Sequence, residues 1–260
     1  MERTDCTPVD CSTCNEDCGS RQDMESPILK AHPWSNIKKV IAIAGGKGGI
    51  GRSFITATLA VLLKAKGYQV GILDADIMGP VIPQAFGITE KAKGSDKGIY
   101  PVKTSDGIDV FSMSLLQKTD EEPALVNGAM ASNILGQFWA QVIWGDKDFI
   151  LIDLPSGTGD LPQTILERFP LNAVICVTST PKLTQMVTEK SLKMIEDTEI
   201  PLLALVNNRS VKGEDLLRNR KADSEIPFSP KNETLMNQGR ASEIILKELE
   251  PTIDKIINML

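Results

Sequence analysis

The sequence predicts an α/β fold, a doubly wound and mainly parallel sheet with helices on both faces. Three observations predict it. Short apolar runs rich in Val and Ile alternate with longer segments of helical spacing. The first run, loop, helix and second run form a unit of about 30 residues, the right size for a right-handed parallel crossover. A glycine-rich stretch, "GGKGGIGRS", sits between that first run and the helix after it. Repeated units of this kind build a sheet covered on both faces.

Residues 1–35 differ from the rest of the chain. They are polar, hold four of the five cysteines and close on a proline-containing stretch that includes "KAHPWS". They read as a cysteine-rich arm and linker ahead of one domain over 36–260. In that domain "KKVIAIAG" reads as a buried strand bounded by glycine. "RSFITATLAVLLKAKG" has helical spacing and a glycine stop, and "YQVGILDAD" is a second buried strand. The stretch 87–112 is glycine-rich and irregular, and is expected to hold a hairpin or a surface excursion. "ASNILGQFWAQVIW" is helical, "DFILIDLP" a strand, "LPQTILERF" a short helix and "NAVICVTST" a strand. "PKLTQMVTEKSLKMIED" is a helix with proline at its start, and "IPLLALVNN" a strand. The tail "GRASEIILKELEPTIDKIINML" reads as a helix broken or kinked at Pro251 and docked on the core.

Composition narrows the function. With 260 residues, one large domain can bury a substantial core. A net charge of −6 argues against a nucleic-acid binder, which needs a basic surface. No segment approaches the roughly 18–20 apolar residues that span a bilayer. The stretch "MERTDCTPVD" lacks the apolar core of a secretory signal, so a cytoplasmic location and no membrane partner are expected.

"GKGGIGRS" fits the phosphate-binding pattern G-x-x-x-x-G-K-S/T over Gly46, Lys47, Gly48, Gly49, Ile50, Gly51, Arg52 and Ser53, except that Arg52 stands at the lysine. It follows a strand and opens a helix, the context the pattern requires. Glycines let backbone N–H groups converge on phosphate oxygens, and the helix N-terminus adds its positive end. Ser53 is the expected Mg²⁺ ligand. Arginine keeps the charge but is planar and bulkier than lysine, so phosphate binding is a safer expectation than fast hydrolysis. Asp153 ends the strand "DFILID", where a carboxylate holds Mg²⁺ directly or through water. Asp74 and Asp76 end the second strand, and Asp160 ends the loop after Asp153. Ligands bind outside the strand ends of such sheets, so all four carboxylates are expected to face one crevice.

Together "GKGGIGRS", "GILDADIMGPVIPQAFGI", "DFILIDLPSGTGD" and "IPLLALVNN" resemble the Mrp/ApbC-type iron–sulfur cluster carrier ATPases. These belong to the deviant Walker-A class of P-loop NTPases, with MinD, ParA and the nitrogenase iron protein. The resemblance spans about residues 36–260. It implies ATP with Mg²⁺ as ligand, a nucleotide-gated homodimer, and client apo-iron–sulfur proteins as partners. It implies that Lys47 reaches across the dimer to the partner's nucleotide and that Asp76 orients the attacking water. Asp153 would relay to Mg²⁺ and the interface, Asn208 would recognise adenine, and Pro227 would lie in the base-binding loop.

The chain departs from the pattern at Arg52 and again after "LLALVNN". Carriers of this type have a C-x-x-C there that bridges a 4Fe–4S cluster between two chains, whereas "VNNRSVKGEDLLRNRKADSEIP" has no cysteine. Cys176 lies in an apolar run and reads as a core thiol. Cys6, Cys11, Cys14 and Cys18 are spaced C-x4-C-x2-C-x3-C, close enough to wrap one metal centre. The resemblance puts a 4Fe–4S cluster first, Zn²⁺ second, and an unliganded or disulfide-forming tail last, since soft thiolates suit both metals. His32, the sole histidine, is assigned no role. The alternative function is a MinD/ParA-like positioning or regulatory ATPase without a cluster. A nucleotide-binding regulator slowed by Arg52 is a third.

Overall fold

The computed structural model describes residues 28–117, 128–211, 216 and 220–260. The four clustered cysteines lie outside those residues. β1 (Asn36–Ala44) leads through the glycine loop into α1 (Arg52–Ala65) and back into β2 (Val70–Asp74). A four-residue helix α2 (Ile82–Ala85) precedes a hairpin of β3 (Lys93–Ser95) and β4 (Gly98–Tyr100). β5 (Val102–Lys103) and β6 (Asp109–Ser112) follow, then α3 (Gly128–Gln141), β7 (Asp146–Asp153), α4 (Asp160–Arg168) and β8 (Ala173–Thr178). α5 (Lys182–Glu196), β9 (Leu202–Ser210), β10 (Ser224–Pro227), α6 (Pro230–Asn237) and α7 (Glu250–Ile257) complete the chain.

Among the described residues one eight-stranded sheet runs β10-β9-β8-β1-β7-β2-β6-β5. Every neighbouring pair is parallel except β5 with β6. The strands at the centre are buried on both faces, which explains why they read as continuous apolar runs. Ile41 and Ile43 point into the layer with α1 and α7. Val40, Ala42 and Ala44 point into the opposite layer, with α3, α4 and α5. The doubly wound α/β class is therefore the observed one.

Three local readings change. The stretch 87–112 does contain a hairpin, but it also supplies β6, a parallel neighbour of β2. Four residues are too few to show a period, so the strand is hidden in the sequence. β10 and α6 were equally invisible, and both border the site below. Of the two expectations at Pro251, the break holds and the kink of one long helix does not. Pro251 occupies the first turn of α7, where its missing N–H costs nothing, and two 3₁₀ turns precede it. α7 docks as expected, with Ile253 and Ile256 fully buried and the Thr252 hydroxyl 2.8 Å from that of Ser224. No helix among the described residues is long and apolar enough to cross a membrane.

The segment just before β1 packs on the domain. The Leu29 amide donates to the Arg168 carbonyl at 2.7 Å, and the Leu29 carbonyl accepts from the Trp139 indole at 3.3 Å. His32 reaches the Lys97 carbonyl at 2.8 Å, a structural contact.

Candidate nucleotide site

β1 delivers the glycine loop to the centre of the sheet's C-terminal edge. Ile43 stands in register with Asp153 of β7, and Ala44 with Cys176 of β8. Gly45 and Gly46 are buried, while Lys47, Gly48 and Gly49 are exposed. Gly46 is required by packing: a Cβ there would lie 2.5 Å from the Val187 carbonyl oxygen of α5. Gly51, at φ 88°, caps α1 in the left-handed region that glycine favours. A Cβ on it would also strike the Asn208 amide. Lys47 makes no hydrogen bond or ion pair within the described residues.

The first turn of α1 faces Asp153. The Ser53 hydroxyl donates to one carboxylate oxygen at 2.6 Å, and the Thr56 hydroxyl lies 2.9 Å from the other. Thr56 follows Ser53 by one helical turn and so shares its face. Helical spacing could have singled it out. Arg52 is buried, and its guanidinium donates to the Gly45 carbonyl at 3.1 Å and lies 4.0 Å from Asp76. Its Nε is buried without a partner. The basic side chain is thus folded back over its own loop.

Asp74, Asp76 and Asp153 cluster at neighbouring strand ends, but the four carboxylates differ in what they face. Asp153 lies behind Ser53, and Asp76 is half-buried beside Arg52. Asp74 is fully buried, and its oxygens are taken by backbone amides of the loop that follows β2. Asp160 is exposed at the start of α4. Asp74 and Asp153 are register partners on adjacent parallel strands and share a face, so what separates their roles is the donors each buried carboxyl collects.

Burial raises the Asp153 carboxyl to about 6, against the lowering effects of Ser53, Arg52 and Thr56. The folded chain therefore holds a proton that the unfolded chain releases, so this contribution favours folding at acid pH and is lost as pH rises through about 6. Asp74, raised well above the ordinary range by burial and then by the charge of Asp153, acts in the same direction. Asp153→Asn is expected to flatten the fall in metal-free stability between about pH 4 and pH 7, adding on the order of 2–3 kcal/mol at pH 7. Urea unfolding at the two pH values checks this; an unchanged difference assigns the slope to other groups.

On the far side of Gly51 opens a cleft of about 160 Å³ lined by Phe54, Asn208, Pro227, Phe228 and Met236. The Asn208 amide nitrogen donates to the Ile50 carbonyl at 2.8 Å, which ties β9 to the glycine loop and leaves the amide oxygen as an acceptor. Phe228 is half-exposed, and the Arg209 guanidinium, paired with Glu233 at 3.0 Å, lies 5.1 Å from its ring centre. The tertiary structure thus brings Asn208 and Pro227 to one cleft beside Gly46–Ser53. Phe228 and Arg209 went unnoticed in the sequence, although an aromatic beside Pro227 was a usable signal.

The family model described as ParA, NUBPL iron-transfer P-loop NTPase matches residues 36–240. The chain belongs to this family. That agrees with the Mrp/ApbC-type resemblance of the motifs. Two iron-sulfur cluster carrier proteins are similar to this NUBPL-type NTPase. That of Clostridium perfringens is 35% identical over 206 residues, covering 76% of this chain and 72% of the relative. That of Methanococcus maripaludis is 37% identical over 209 residues, with the same coverage. Among solved structures, a nucleotide-binding protein of Archaeoglobus fulgidus in complex with ADP superposes with a TM-score of 0.68 at 34% identity, over 82% of this chain and 91% of that one. The cell division ATPase MinD of Pyrococcus furiosus matches at 0.59 with 19% identity, over 85% and 98%, and shares the fold. The NUBPL-type match ends before α7, which lies beyond residue 240.

Proposed function

We infer that the chain is an ATP-binding iron–sulfur cluster carrier that works as a nucleotide-gated homodimer. The observation that carries the nucleotide part is the 2.6 Å contact between Ser53 and Asp153. It joins the helix that follows the glycine loop to the carboxylate strand at the sheet edge where ligands bind. A hydroxyl and a carboxylate form a hard oxygen set suited to Mg²⁺. Ser53 and Asp153 would hold the ion, which neutralises charge on the β- and γ-phosphates when bound. Glycine-loop amides and Arg52 cradle the phosphates. The base enters the cleft, where the Asn208 oxygen accepts from the exocyclic amine of adenine. Asp76 orients the water, and Lys47, exposed and unengaged among the described residues, serves the partner's nucleotide.

The cargo is assigned from the family and from the sequence. With no C-x-x-C after β9, a cluster has Cys6, Cys11, Cys14 and Cys18 as its thiolates. A 4Fe–4S cluster held there would be passed to client apo-iron–sulfur proteins, and Zn²⁺ is the competing occupant. The carriers among its relatives support iron over zinc. The alternative of a membrane-positioning ATPase gains nothing from α7, whose apolar face is buried in the core.

Anaerobic purification and reconstitution, followed by iron, sulfide and zinc counts, tests the cargo. Iron and sulfide in equal amounts near four per chain are expected, with a visible charge-transfer band. Cys11→Ala with Cys14→Ala should abolish both. Zinc without sulfide, or no metal at all, overturns the carrier reading while leaving nucleotide binding intact.

A further inference from the structure

The segment between β2 and α2 carries Asp76 and wraps around the buried side chain of Asp74. One Asp74 oxygen accepts from the Asp76 amide at 3.2 Å. The other accepts from the amides of Val81 and Ile82, both at 3.1 Å, and from the Ser112 hydroxyl at 3.3 Å. The carboxylate thus holds both ends of a loop whose middle is exposed at Met78 and Gly79, and it anchors that loop to β6. Three of the four donors converge on one oxygen and the fourth on the other, so most of the acceptor capacity of Asp74 is spent on the loop. Asp76, two residues on, is held by its main chain while its own carboxylate accepts from the Gly79 amide at 3.1 Å and faces Arg52.

We propose that Asp74 is a positioning residue for nucleotide hydrolysis: its buried carboxylate staples the two ends of the 75–82 loop and so sets where the Asp76 carboxylate stands against the phosphate loop. The proposal rests on the reading of Asp76 as the group that orients water. Two further facts support it. The loop's buried ends, Ala75 and Ile82, are fully enclosed, and the Ala75 amide is also tied to the Asp153 carbonyl at 3.0 Å. The staple and the Mg²⁺ carboxylate therefore sit on neighbouring strand ends, in register as Asp74 and Asp153. A buried carboxylate beside a second one is also electrostatically costly, and an apolar residue would avoid that cost if the position were only packing. Misplacing a catalytic group by about 1 Å is enough to lower a rate about a hundredfold.

The test uses the full chain with Asp74→Ala and the isosteric Asp74→Asn. Amide hydrogen exchange of the metal- and nucleotide-free protein is read first. Exchange at Val81 and Ile82 should speed up roughly tenfold or more in Asp74→Ala, while amides of β1 and α1 change less than about twofold. Unchanged exchange at Val81 and Ile82 overturns the staple whatever the activity. In ATP turnover, Asp74→Asn should lower kcat at least about tenfold with KM within about threefold. In an Asp76→Ala background it should lower kcat no further, because it acts through Asp76. An additional fall there overturns positioning in favour of a separate role. If Asp76→Ala turns over like the parent chain, the role of Asp76 fails instead, and the exchange result still decides the staple.

Discussion

Lys47→Ala is expected to reduce ATP turnover at least roughly a hundredfold, the cost of removing one cation or donor from a developing negative charge. Nucleotide affinity of the protomer should change less than about tenfold, because Lys47 has no partner among the described residues. This split separates a lysine that completes a partner's site from one that holds its own phosphate. Mixing makes the distinction sharper. A Lys47→Ala chain keeps its own Asp76 and borrows Lys47 from an Asp76→Ala partner, so each mixed dimer has one complete site. Random pairing of the two inactive variants should restore about a quarter of parental turnover. Turnover by phosphate release and affinity by titration with a fluorescent ATP analogue measure both. No recovery on mixing, with each variant dead alone, removes the trans role.

The largest stability effect is expected away from the site. Lys147 of β7 and Asp109 of β6 form a buried ion pair at 2.8 Å across β2, the strand between them. The ammonium also donates to the Trp144 carbonyl at 2.6 Å. Asp109→Ala leaves that ammonium buried with carbonyls alone and should cost about 3–5 kcal/mol. For a chain of this size that lowers Tm by roughly 10 °C. Lys147→Ala should cost less, since Lys103 still lies 2.8 Å from Asp109. The paired substitution of Asp109→Leu with Lys147→Met should recover most of the loss, because apolar side chains of similar volume replace a buried pair at little cost. Thermal melts of the three variants decide it. A double variant as unstable as Asp109→Ala would show that the pair contributes more than mutual neutralisation.

These positions mark how far the sequence can be read. Gly46–Ser53, Asp153 and the strand–helix alternation were legible because each depends on local spacing, a loop between strand and helix or a carboxylate at a strand end. Arg52 was legible as a departure, but its fold-back onto Gly45 was not. Asp74 and Asp76 look equivalent in "DADIMGP". Only the path of the loop turns one inward, onto amides seven and eight residues away, and leaves the other beside Arg52. Lys147 precedes the run "DFILIDLP" with no local signal of its partner, and it is buried against a residue 38 positions earlier.

Hydrophobic periodicity and glycine placement were sufficient for the α/β class and the glycine loop, and the resemblance of the longer motifs pointed to the family. Both act through the nearest few residues and leave their mark in order along the chain. The cleft at Asn208 and Pro227, the hydrogen bonds gathered by Asp74 and the Lys147–Asp109 pair needed the folded chain. Each is made by groups far apart in sequence, and burial forces a polar group to find partners by proximity in space.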